Sequence, residues 1–98
     1  MIKISTGKNI SKKYKDYIDD CVNALFCSFI GNYDIHVNFR KFIDDDRSHA
    51  GFCLGDTEES VIDIATHHTY ECGEEALYTP VEIARTLAHE LVHAKQFA

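Results

Sequence analysis

The stretch Thr79-Pro80-Val81-Glu82 constrains this chain more than any other part of it. Thr79 can accept a hydrogen bond from the backbone N–H three residues on, Pro80 is pre-set for the first helical position, and Glu82 can reach back to the N–H of Thr79. Together these make a capping box. From Ile83 to Ala98 neither Gly nor Pro interrupts, so the spacing predicts one helix from Pro80 onward. On a 3.6-residue period Val81, Ala84, Leu87, Ala88 and Leu91 form the expected buried stripe. Glu82, Thr86, His89, Glu90 and His93 fall on the other side, which sets two imidazoles one turn apart on a face that the core does not claim.

A chain of 98 residues builds one hydrophobic core, so the segments before this helix have to pack against it. From Ser11, the expected N-cap, to Ile30, apolar residues recur at Tyr14, Ile18, Cys21, Val22, Leu25, Phe26 and Phe29, an amphipathic helical rhythm with Gly31 as its stop. "MIKIS" alternates as a short first strand before a turn at Gly7-Lys8-Asn9. In "YDIHVNFRKF" Tyr33, Ile35, Val37 and Phe39 share one face of a strand and Asp34, His36, Asn38 and Arg40 the other, so His36 is expected toward solvent. After an acidic turn at Asp44-Asp45-Asp46, "HAGFCLG" and "ESVIDIATH" read as two further strands. "HTYECGEEALY" has no clean period and is expected as a long loop, either bordering a binding site or serving as a plain connector. With no repeat and no linker, the expectation is a single α+β domain over residues 1–98: an N-terminal helix, a small antiparallel sheet and a C-terminal helix.

The formal net charge is −6, and the one basic cluster, Lys8, Lys12, Lys13 and Lys15, lies at a helix start instead of along a groove with interleaved aromatics. Nucleic acid is therefore not an expected partner. No apolar run approaches the roughly 18 to 20 residues of a membrane span, and the N-terminal residues hold no apolar core of signal-peptide length. The expected setting is cytoplasmic, away from membranes. Cys21, Cys27, Cys53 and Cys72 form no C-x-x-C pair and are expected as reduced thiols. No feature of the sequence fixes the oligomeric state.

His89, Glu90 and His93 make H-E-x-x-H, a spacing that lets two histidines on one helical face bind zinc while the Glu between them handles protons. "RTLAHELVHAKQF" resembles the active-site helix of the small zincin-type metallopeptidases, including SprT-like domains and minimal phage-encoded relatives, in which a Lys-Gln-aromatic tail commonly follows the motif. The order of helix, strands and "GFCLG…SVIDIA" before that helix is similar to the zincin core as well. The resemblance implies a minimal zincin-like domain with His89 and His93 as Zn2+ ligands. It implies Glu90 as the general base that activates a metal-bound water against the peptide bonds of a peptide or protein substrate. It further implies that "SVIDIA" is the edge strand along which an extended peptide docks.

Catalytic zinc normally takes three protein ligands. In the extended metzincin pattern Gln96 stands where a Gly is required and the third His would fall one residue beyond Ala98, so that pattern does not apply. The C-terminal part of the family pattern is absent, and the third ligand is left to four sources: sequence after Ala98 if the chain is truncated, upstream residues, a partner copy, or solvent. Upstream, His67 and His68 lead His49, Glu71, Cys72 and Glu74, because imidazole suits zinc; Cys72 could alternatively serve as a latency switch. The rival expectation is a noncatalytic zincin-like module that binds a peptide or partner with weak metal or none.

Overall fold

The computed structural model describes residues 1–45 and 47–98. Six strands and two helices follow in the order β1 (Ile2–Thr6), α1 (Lys12–Leu25), β2 (Tyr33–Arg40), β3 (Gly51–Gly55), β4 (Glu59–Ala65), β5 (His67–Thr69), β6 (Glu75–Leu77) and α2 (Pro80–Phe97). The mixed α+β class is as expected. The acidic turn falls partly outside the described residues, since Asp46 is not among them.

The sheet is not the antiparallel one expected. Its strand order is β1-β2-β4-β3, with β1 parallel to β2, β2 parallel to β4, and only β3 antiparallel to its neighbour β4. The reason is the connection: β1 and β2 are joined through helix α1, and a helical crossover returns the chain in the same direction. β4 then enters between β2 and β3. That makes "SVIDIA" an interior strand, hydrogen-bonded on both sides, and leaves β1 and β3 as the sheet's edges. Strand β4 cannot accept an added peptide strand; β3 can.

One face of the sheet carries the core. Tyr33, Ile35 and Val37 of β2 and Ile62 and Ile64 of β4 meet Ile18 and Val22 of α1 and Ile83, Leu87, Leu91 and Ala94 of α2. The two helices touch each other as well as sharing that core. The other face is open and bears the polar residues of β2 beside Phe52 and Leu54 of β3, which are 51% and 65% exposed.

Helix α1 stops at Leu25, earlier than the apolar rhythm through Ile30 suggested. The Phe26 N–H closes the last helical bond on Val22 and the Phe29 N–H turns back onto Phe26. Rings Phe26, Phe29 and Tyr33 then cluster with centroids 5.5 to 6.2 Å apart. Packing of these three aromatics against the sheet outweighs continued helix, and Gly31 at φ 116° completes the reversal into β2. Ser11 is the N-cap position without a side-chain cap bond.

The expected loop "HTYECGEEALY" is largely a hairpin, β5 paired antiparallel with β6 in the register His67↔Leu77 to Thr69↔Glu75, with Gly73 at φ 87° in its turn. Its strands are three residues each, too short for alternation to register as a period. The hairpin delivers the chain to Thr79, whose capping box with Glu82 is formed as the sequence indicates, with bonds of 3.0 and 3.2 Å. At the far end of α2, the Lys95 ammonium lies 5.4 Å from the Phe26 ring and 5.5 Å from Phe29, tying the helix terminus to the end of α1. No helix among the described residues is long and apolar enough to cross a membrane.

Because the capping box satisfies two orphan N–H groups at once, Thr79→Ala should lower stability by about 1 kcal/mol. Urea denaturation should show a reduced midpoint with an unchanged slope, and an unaltered midpoint would mean that tertiary packing alone sets the start of α2.

Candidate metal centre

The inward-facing positions of β3 are Gly51, Cys53 and Gly55, and their small size sets the geometry of the whole site. A Cβ placed on Gly51 would lie 2.5 Å from Cγ2 of Thr86, 3.0 Å from Cγ of Glu90 and 3.1 Å from its Oε2. One placed on Gly55 would meet Ser60 and lie 3.1 Å from Cδ2 of Phe97. Strand β3 therefore runs alongside α2 in the same direction, Gly51 against Thr86 and Glu90, Gly55 against Phe97, at a separation that larger residues forbid. The edge strand and the H-E-x-x-H helix are thus in direct contact.

The buried stripe of α2 differs from the expected one accordingly. It comprises Ile83, Leu87, Glu90, Leu91 and Ala94, while Val81 is exposed at the helix start. Glu90 is 6% exposed. The sequence placed it on the solvent side because a carboxylate is read as polar; the close approach of Gly51 covers it instead. His89 remains exposed and His93 half-buried.

His89 and His93 converge as their spacing indicates. Their Nε2 atoms are 3.0 Å apart and their rings meet edge to face with centroids 4.6 Å apart. Donor atoms of His89, Glu90 and His93 all lie within 4.8 Å of one another. Two imidazole nitrogens on a tetrahedral zinc at ordinary bond lengths stand ~3.3 Å apart, so a few tenths of an ångström of opening admits the ion. The donor set thus fits zinc in type and spacing. His93 Nδ1 lies 3.2 Å from Oε1 of Gln96. An open cavity of about 380 Å³ lies beside the pair, lined by Ala50, Gly51, Arg85, Thr86, His89 and Glu90.

Behind Glu90 a polar chain crosses the core. The Cys53 thiol is pushed up to about 11 by burial, with the Glu90 carboxylate adding to the effect and a hydrogen bond with Ser60 opposing it. Ser60, fully buried, also bonds the Tyr33 hydroxyl, which donates to the Asp56 carbonyl at 2.8 Å. Cys53 thus stays a neutral thiol throughout the physiological range.

The upstream candidates for a third ligand go elsewhere. His67 bonds Thr66 through Nδ1 at 2.7 Å and its ring packs near Phe42. The His68 ring sits between Tyr70 and Tyr78, at 5.1 and 4.8 Å. His68 is also close enough to the helix start to help hold the Glu82 carboxyl below its usual range, an effect led by the Thr79 cap bonds. Position 89 lies about 10 Å further along the axis at 1.5 Å per residue. His49 pairs with Asp44 and Ser48, and Glu71, Cys72 and Glu74 are exposed around the hairpin turn. Among the described residues none of these joins the His89, Glu90 and His93 group.

A second group with metal-ligand spacing, Asp34, His36 and Glu59, lies on the open face of the sheet. His36 is half-buried there, its Nε2 3.7 Å from the Glu59 carboxylate. The residues that sequence reasoning missed are Gly51, Cys53 and Gly55; the signal was the small-residue alternation in "GFCLG". No family model matches the chain, nor does any curated protein or solved structure to which it was compared.

Gly51→Ala should destabilise the protein by roughly 1 to 3 kcal/mol through overpacking against Thr86 and Glu90, and Thr86→Ser in the same chain should recover part of it. A thermal midpoint unchanged by Gly51→Ala would show that β3 and α2 are not in tight contact. Thiol alkylation at neutral pH followed by mass spectrometry should label the exposed Cys27 and Cys72 first and Cys53 last. Early labelling of Cys53 would contradict its burial behind Glu90.

Proposed function

We propose that this protein is a zinc-dependent peptidase of minimal zincin type, with His89 and His93 as zinc ligands and Glu90 as the general base. The observation that carries the reading is the placement of Glu90: buried on the helix against Gly51 of the edge strand, with a carboxylate oxygen within 4.8 Å of both imidazoles, whose Nε2 atoms are 3.0 Å apart. Zinc, when bound, supplies a Lewis acid that polarises the scissile carbonyl and acidifies water.

The remaining work falls to the chain. Strand β3, with its outer edge unpaired by any described strand, offers backbone N–H and C=O groups to an extended peptide. Such a peptide would lie along the outer edge of β3, beside the cavity that His89 and Glu90 line. Glu90 takes a proton from the attacking water as its oxygen bonds the carbonyl carbon. The same carboxyl returns the proton to the departing amine nitrogen as the C–N bond breaks. The four free cysteines suit a reducing compartment, and a protein or peptide substrate inside the cell is the corresponding partner.

A second reading has its own support: no third His, Cys, Asp or Glu other than Glu90 joins the pair among the described residues. On that reading the same edge binds a peptide without cutting it, and metal is held weakly. The third protein ligand is then the point on which the two readings part, and it would come from outside the described set, from a second copy, or be replaced by solvent.

With zinc supplied and an unstructured peptide pool as substrate, Glu90→Gln should cost about 10² to 10⁴ in rate while zinc content and thermal midpoint stay near those of the parent. His93→Ala should instead lose the metal along with the activity. Full activity in Glu90→Gln would refute the peptidase mechanism. A parent protein that binds peptide along that edge, with cleavage undetectable at saturating zinc, would establish the noncatalytic module.

A further inference from the structure

His89 and His93 are not equivalent. Gln96 sets its amide oxygen 3.2 Å from His93 Nδ1, a contact that a neutral His93 meets by carrying its proton on Nδ1. With the proton there, His93 Nε2 would present a lone pair and His89 would be the donor in the 3.0 Å contact between the two Nε2 atoms. In that arrangement His93 is in the tautomer that ligates a metal through Nε2. His89 would then hold its proton on the nitrogen the metal needs and would have to move it to Nδ1 first. Among the described residues nothing accepts a hydrogen bond from His89 Nδ1, whereas His93 has Gln96 three residues on, on the same helical face.

We propose that Gln96 is a positioning residue of the metal centre: it fixes the His93 ring and its Nδ1–H tautomer in advance, so that His93 is the anchoring ligand and His89 the one that switches. This rests on the zinc reading above and adds to it an ordered division of labour between two ligands that the motif treats alike. Three features keep Gln96 in place. Helix α2 continues through Phe97, Phe97 packs close to Gly55, and Lys95 lies over the rings of Phe26 and Phe29, so the turn carrying Gln96 is held from both sides. Ligating histidines commonly pass their second N–H to such an acceptor, which orients the ring and makes the ligating nitrogen more basic.

The test uses the full chain with 15N-labelled histidine, read by long-range proton–nitrogen correlation at neutral pH, first metal-free and then with zinc chloride added. In the parent protein His93 should show Nδ1–H in both states, and His89 should change from Nε2–H to Nδ1–H as zinc binds. Gln96→Leu removes the acceptor and should shift His93 toward Nε2–H and weaken zinc binding by about 10-fold or more. Gln96→Glu keeps an acceptor at the same reach and should retain the Nδ1–H form and the affinity. Helix content by circular dichroism controls for fraying of the last turn. A His93 protonated at Nε2 in the metal-free parent would overturn the proposal, as would a Gln96→Leu variant with unchanged tautomer and unchanged zinc affinity. If the parent takes up no zinc, the zinc reading falls, and the metal-free tautomers still decide whether Gln96 holds the ring.

Discussion

The arrangement depends on how closely α2 can lie against strand β3. Gly51, Cys53 and Gly55 present almost no side-chain bulk toward the helix, and the contacts a Cβ would make at Gly51 leave no room for more. Burial of Glu90 follows from this approach, because the backbone of the edge strand covers the carboxylate. The neutrality of Cys53 follows too, since the thiol is enclosed beside that carboxylate and a charged form would lose its solvation. The same approach brings Gly51 of β3 together with Arg85, Thr86, His89 and Glu90 around one open cavity. Widening the separation with a larger residue at position 51 would disturb all of these together.

Glu90 packs under Gly51 and still lines the open cavity beside His89. Two partners are within reach, the imidazole pair on its own helix and whatever enters the cavity. Small size explains why so much converges here: in a two-layer domain of this length a single helix supplies both the core stripe and the candidate site. The seven-residue span from Leu87 to His93 does this, with Leu87 and Leu91 fully buried and His89 exposed.

Much of this was legible in the sequence where the signal is local. The Thr79–Glu82 capping box, the period-2 pattern of "YDIHVNF" and the i, i+4 histidines all act within a few residues, and each is found where its pattern indicates. What was not legible depends on pairing between distant segments. The parallel sheet follows from a crossover, and the interior position of "SVIDIA" follows from the insertion of β4 between β2 and β3; neither is a property of the strand's own residues. Glu90 was assigned to the solvent face because helical periodicity knows only the helix, while its cover comes from Gly51, 39 positions earlier in the chain. The β5–β6 hairpin was missed because three-residue strands carry too little alternation to distinguish from a loop.

The central claim is that His89 and His93 form a nitrogen-donor metal site, and it is tested most directly by X-ray absorption at the zinc edge on protein loaded with one equivalent of zinc. The account predicts two imidazole nitrogens at about 2.0 to 2.1 Å with lighter oxygen scatterers completing the shell, and no retained zinc in His93→Ala. A shell with sulfur at about 2.3 Å would move the site to the cysteines, and a shell of oxygens alone would move it away from the helix; either result would contradict the account.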